Sequence, residues 1–211
     1  MEKKRFYRTV AALVLPIAIQ NLINVGVTSA DVIMLGKVGE TVLSASSLAG
    51  QIYFIMTLIF FGLTSGAAVL TAQYWGKGDT RTIEKVLGIA MRIGILVSVV
   101  FTLAVWTAPE LLMRIFTAEP EVIVQGVRYL KIISCSYVVS GITIVYFNVM
   151  RSVERVVIAT VTYGISLVIN VVCNAIFIFG FFGVPAMGIR GAALGTLIAR
   201  IFEICVVVVY G

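Results

Sequence analysis

The sequence predicts an all-α, polytopic membrane protein built as a bundle of six transmembrane helices. Of its 211 residues, 60% are hydrophobic and only 12% are charged, and the mean hydropathy is +1.08. A soluble domain is about half apolar and a quarter charged, so too few charges remain here to coat a water-exposed surface. The apolar segments run past about 20 residues, enough to cross a bilayer, and lack the period-two alternation of barrel strands. Helices satisfy every backbone N–H and C=O within one segment, as hydrocarbon requires.

Each span follows from an apolar run bounded by charges or by Gly and Pro. The first is expected over 10–35, after the basic cluster Lys3, Lys4, Arg5 and Arg8. The second, 43–74, is long enough that it must tilt or project past the bilayer. Gly76-Lys77-Gly78-Asp79 then combines a helix stop with an N-cap. The third span is expected over 86–108. An external loop follows over 109–121, whose stretch 110–116 is amphipathic and reads as an interfacial segment. The fourth, fifth and sixth spans are expected over 122–149, 156–182 and 188–210. The chain thus reads as a single six-span unit over 1–211. It stops at Gly211 directly after an apolar run, which fits either truncation of a longer protein or a natural half-length chain.

Charge sets the orientation. Nine cations (Lys3, Lys4, Arg5, Arg8, Lys77, Arg81, Lys85, Arg151 and Arg155) fall on one side, against Lys37, Arg114 and Arg190 on the other. The positive-inside bias places both termini in the cytoplasm, with the chain in the cell's inner (plasma) membrane. It also accounts for the net charge of +6 without a nucleic-acid partner. Cys135, Cys173 and Cys205 lie in apolar runs without paired spacing, and the chain has no histidine. They read as small buried residues, and no metal or other cofactor is expected. No acid–base or nucleophile constellation is present, so the chain does not read as an enzyme.

The informative residues are those that are costly to place in lipid. Asp31 lies about four residues inside the outer end of the first span, roughly 6 Å deep at ~1.5 Å per residue. An ionised carboxylate costs about 3 kcal/mol near the centre of the bilayer and less toward an interface. It must be protonated, paired with a cation or wetted by a cavity. At about 100° per residue, Gln20, Asn24, Thr28 and Asp31 fall within about 80° of one another. Tyr163, Ser166, Asn170 and Asn174 form a matching stripe on the fifth span. These stripes face a neighbouring helix or an aqueous cavity. A carboxylate and two amides at similar depth can hold a proton or a desolvated Na⁺ through oxygen ligands, or else act as hydrogen-bonded packing contacts.

Pro16 interrupts the backbone hydrogen bonding of the first span and is the candidate hinge. Thr196 adds a hydroxyl near the fifth-span stripe. Gly62 with Gly66, and Gly191 with Gly195, are spaced for close helix contact. Arg92, Arg128, Lys131, Arg200 and Glu203 are intramembrane charges expected to snorkel or pair locally, Arg200 with Glu203 three residues on.

These residues resemble a known family. Leu15-Pro16, SADVIMLGKVGE from Ser29, AQYWGKGD from Ala72, NVVCNAIFIFG from Asn170 and GIRGAALGTLIAR from Gly188 stand in one order. That ordered set is similar to the amino-terminal lobe of multidrug and toxic compound extrusion (MATE) transporters of bacterial and archaeal type. The resemblance implies a twelve-span antiporter of two six-span lobes, exporting organic, often cationic amphiphiles in exchange for H⁺ or Na⁺. It implies that Asp31 is a coupling carboxylate, that Asn170 and Thr196 belong to its cluster, and that Pro16 is a kink. Asn174 stands where some members carry a second aspartate. The carboxy-terminal lobe is absent, so the implied partner is that lobe or a second copy in a parallel homodimer. The substrate, a small organic drug-like molecule, is expected in a cavity walled by the first, second and fourth spans. Two alternatives stay open: a lipid-linked saccharide flippase of related architecture, drawing on Arg128 and Lys131, and a non-transporting membrane subunit.

Overall fold

The computed structural model describes residues 2–210. The side chains of residues 1–6, 8, 9 and 13 lie outside the described residues, and with them Lys3, Lys4, Arg5 and Arg8 of the charge count. The helices, in order, are α1 (Glu2–Val38), α2 (Glu40–Gly76), α3 (Thr80–Thr107), α4 (Pro109–Arg114), α5 (Pro120–Ile133), α6 (Cys135–Ser152), α7 (Val156–Phe179) and α8 (Ile189–Tyr210). A 3₁₀ turn, Phe181–Gly183, separates α7 from α8. Among the described residues there is no strand.

Val10–Val38 of α1, together with α2, α3, α7 and α8, are each long and apolar enough to cross a membrane. The expected fourth span, 122–149, is not one helix. It is the pair α5 and α6, bent by 54° at their junction, and only together do they pass as a span. At ~1.5 Å per residue they rise roughly 21 and 27 Å, each short of a ~30 Å hydrocarbon core. The chain is therefore a multi-pass helical membrane protein with six crossings when this bent pair counts as one.

The bend has a local cause. Ser134 Oγ and Cys135 Sγ donate back to Lys131 O, and Ser136 Oγ to Ile133 O. Such back-bonding competes with the helical ladder and bends helices. From α3, Thr102 Oγ1 donates to Ser134 O at 3.2 Å and Trp106 Nε1 to Ser134 Oγ at 3.0 Å. A proline is the usual kink signal; here three consecutive small polar residues take its place.

Helix ends follow their capping chemistry. Gly78 adopts φ 73°, which favours glycine. Asp79 then caps α3, accepting from Thr82 N at 3.0 Å and Thr82 Oγ1 at 2.6 Å. Those hydrogen bonds hold the Asp79 carboxyl below the usual carboxylate range. Gly180, at φ 81°, ends α7 at Phe179, three residues before the expected limit of 182. The expected interfacial stretch forms the short helix α4.

α2 is the central helix. Ala45, Ala49, Ile52, Met56, Phe60, Thr64, Ala67 and Thr71 are buried along one seam at helical spacing. Against it pack Ala90, Met113, Leu130, Tyr137 and Val145 from α3 to α6. The opposite face, with Phe54, Leu58, Phe61 and Val69, is exposed, as a lipid-facing surface should be. Between helices in lipid the driving force is close packing rather than water exclusion. Gly191 illustrates this: a Cβ there would overlap the backbone of Phe177 across the α7–α8 contact. Gly62 and Gly66 differ from expectation, since a Cβ at either would meet nothing within 4 Å. Their spacing faces no neighbour. The cysteines also depart from expectation, with Cys135 and Cys205 exposed and Cys173 half-buried.

Two outcomes follow. Gly191→Leu should cost about 1–3 kcal/mol by overpacking, read as loss of folded, monodisperse protein in detergent, whereas Gly62→Leu should leave stability unchanged. Asp79→Ala should lower thermal stability at neutral pH. Because the folded carboxyl titrates below the unfolded one, the cap contributes fully above the unfolded pKa and is lost as pH falls through the folded one. The difference between wild type and Asp79→Ala should therefore vanish in acid.

Candidate functional site

Asp31 sits seven residues from the end of α1 at Val38, not four from an end at 35. At ~1.5 Å per residue that is roughly 10 Å, deeper than the sequence suggested. Its carboxylate accepts from Asn174 Nδ2 on α7 at 2.5 Å. The same amide group donates to Asn170 Oδ1 at 3.3 Å, and Asn170 Nδ2 donates to Thr196 Oγ1 on α8 at 3.2 Å. A hydrogen-bonded chain thus runs from α1 through α7 to α8. Asn170 and Asn174 are buried, and Asn174 Oδ1 has no partner. The α7–α8 approach is close enough that a Cβ on Gly195 would overlap this oxygen.

The oxygens gathered here are a carboxylate, two amide carbonyls and a hydroxyl. This is a hard set, suited to a proton or a small hard cation rather than to a soft transition metal. Among the described residues no cluster of three His, Cys, Asp or Glu side chains exists.

Beside the chain lies a cavity of about 310 Å³. From the sequence candidates it takes Asn24, Thr28, Tyr163, Ser166, Asn170 and Thr196 as lining residues. Thr28 also borders a neighbouring cavity of about 300 Å³ that holds Asp31. The walls of the first cavity differ from expectation. α7 and α8 supply most of them, α1 contributes Asn24, Val27 and Thr28, and α2 and α6 add only Tyr53 and Ile144.

Gln20 is placed elsewhere than the cavity. It is buried, and its Oε1 accepts from Arg151 Nη2 at 2.7 Å. Helical angle put it on the Asp31 stripe, but eleven residues of rise carry it toward the other end of α1, where a cation on α6 claims it. Pro16 leaves α1 a continuous helix, and its carbonyl accepts from Thr160 Oγ1 on α7 at 3.3 Å.

Arg200 and Glu203 pair as expected, at 2.9 Å. They do not snorkel. Glu203 is 1% exposed, its Oε1 also accepts from Ser166 Oγ at 2.6 Å, and both residues line the cavity. Sequence reasoning left them out of the site, although Thr196, Arg200 and Glu203 share one face at about 0°, 40° and −20°. Tyr53 was also missed; nothing in its apolar surroundings on α2 marked it. Arg128 and Lys131, which carried the flippase alternative, are both exposed, and neither lines this cavity.

Comparison with known proteins gives one consistent outcome. The family model MatE matches residues 16–176. The chain is 25% identical over 207 residues to a probable multidrug resistance protein NorM of Agrobacterium fabrum, covering 97% of this chain and 44% of that protein. It is 29% identical over 192 residues to the NorM protein of Rhizobium meliloti, covering 90% and 41%. It shares the fold of the Vibrio cholerae MATE transporter VcmN at a TM-score of 0.87 and 21% identity, covering 96% of this chain and 45% of that one. An outward-facing multidrug resistance MATE family transporter of the MOP superfamily gives a TM-score of 0.84 at 20% identity, covering 94% and 43%. The chain therefore spans less than half the length of the relatives it matches.

The hydrogen-bonded chain predicts coupling between its ends. Asn174→Leu should lower the unfolding free energy by about 1–3 kcal/mol by leaving buried polar partners unpaired. In a double-mutant cycle with Asp31→Asn the two effects should be non-additive by about 0.5 kcal/mol or more, measured by denaturant titration in detergent.

Proposed function

The chain belongs to the MatE family, and on that premise we propose that it forms one lobe of a secondary antiporter that exports organic amphiphiles, often cationic, in exchange for H⁺ or Na⁺. One observation carries this reading. A half-buried acidic side chain on a spanning helix accepts a hydrogen bond from the Asn174 amide of a second helix and lines a cavity of about 300 Å³ next to one of about 310 Å³. The flippase alternative drew on Arg128 and Lys131, and neither lines these cavities; Arg128 borders a separate one of about 620 Å³.

The mechanism follows from the cost of charge in a low dielectric. With a proton or Na⁺ bound, Asp31 is neutralised, and Asn174 Oδ1, Asn170 Oδ1 and Thr196 Oγ1 supply further oxygens for a cation. When the ion leaves, the bare carboxylate needs a wetter setting, and α1 moves to reach one. α1 suits that role because it is the least buried of the spanning helices. Pro16, which lacks a backbone N–H, is the hinge on this reading, and the contacts of Pro16 O with α7 and of Gln20 Oε1 with α6 are released as α1 bends there. Opening and closing of the cavity then alternate with ion binding.

On this reading the chain lies in the inner membrane with both termini in the cytoplasm, following the charge asymmetry of the sequence. The facing lobe is either a carboxy-terminal partner or a second copy of this chain. Two copies with the same charge bias insert in the same orientation, as a parallel dimer requires.

The reading is tested with Asp31→Asn. Efflux of an organic dye driven by an imposed H⁺ or Na⁺ gradient should fall to background, while the variant inserts into the membrane normally. Undiminished efflux would remove Asp31 from the mechanism, and the gradient that drives the wild type identifies the coupling ion.

A further inference from the structure

Arg200 is a half-used cation in the wall of the cavity. Its Nη1 donates to both carboxylate oxygens of Glu203 at 2.9 Å. A guanidinium carries five N–H donors in a fixed fork. Among the described residues, the three donors on Nη2 and Nε meet no protein acceptor. That free edge is the one that engages planar carboxylates with two parallel hydrogen bonds.

The pair is also asymmetric toward the cavity. The Glu203 side chain is 1% exposed and that of Arg200 is 24% exposed, so this pair presents its positive member to an occupant. Glu203 is already spent on Arg200 and Ser166. A second cavity of about 90 Å³ is also lined by Arg200, together with Thr196, Tyr53 and Tyr137. The Tyr137 hydroxyl is fully buried there and has no partner. An unpaired phenol O–H and a free guanidinium edge that line one cavity are donors without an acceptor there, and an anionic oxygen would supply one.

We propose that the free Nη2–Nε edge of Arg200 is a recognition site for a carboxylate or similar planar anionic group on the organic substrate, so that the cavity prefers zwitterionic or anionic amphiphiles to purely cationic ones. This rests on the efflux reading above and narrows it. A cationic ring system is still accommodated by Tyr53 and Tyr163, which line the same cavity. The anionic group sets the orientation, with its oxygens against α8.

The test uses one dye in two forms: a rhodamine bearing a free benzoate, and the methyl ester of the same dye. They share the xanthylium cation and differ only in the anionic group. Binding to the full chain in lipid nanodiscs, read by fluorescence anisotropy, should favour the carboxylate form by about tenfold, the effect of one charge-assisted hydrogen-bonded contact. Arg200→Gln/Glu203→Gln removes both charges without stranding either and should bring the ratio to about one. Equal binding of the two forms by the wild type, or a preference that survives in the double variant, overturns the proposal and leaves the efflux reading intact. Absence of binding by both forms overturns both. A measurement on the wild type alone guards against misfolding of the variant: benzoate should displace the carboxylate dye and benzylammonium should not. The reverse order overturns the proposal.

Discussion

The contact between the Asp31 carboxylate and the Asn174 amide joins α1, few of whose described residues are buried, to the close-packed pair α7 and α8. A carboxylate in a low-dielectric setting is costly unless something neutralises or solvates it. Here α7 supplies a donor from the Asn174 amide, and α8 packs close enough at Gly195 that a Cβ there would overlap that amide's oxygen. The small residues of α8 are thus part of the site. Without them Asn170 would not reach Thr196, and the chain of hydrogen bonds would stop inside α7.

Two polar systems share this space and differ in kind. The Asp31 chain has one acidic group and spare oxygens, which suits a species that arrives and leaves as an ion. The Arg200–Glu203–Ser166 group has an internally compensated pair with spare donors. Thr196 and Arg200 are one turn apart on α8 and line the same two cavities, so in the proposed antiporter an occupant of one system would be felt at the other. An antiporter needs that proximity, because ion and substrate must each bias the same moving helix.

Much of the site was legible because intramembrane polar residues are few and costly. Asp31, Asn170, Asn174 and Thr196 stood out against apolar runs, and the structure brings them into one hydrogen-bonded chain. Angular position alone failed for Gln20, since a stripe on a long helix passes several neighbours along its length, and Arg151 meets it at the far end. Arg200 and Glu203 were read as a local pair because i,i+3 spacing explains them without reference to any cavity. Only the α7–α8 contact, which buries Glu203 against Ser166, turns that pair inward.

The sequence by itself determined the class of solvent, the number of crossings, and the helix stop before Asp79, because hydropathy, span length and left-handed backbone are local properties of a few residues. It also marked the acidic residue that lipid would not tolerate alone. Tertiary structure decided what is not local: the 54° break in the fourth crossing, pinned from α3 by Thr102 and Trp106, and the failure of Gly62 and Gly66 to meet a neighbour. It also decided which polar faces converge. Convergence depends on how helices distant in the chain rotate and cross, and no single segment encodes the angle at which another will meet it.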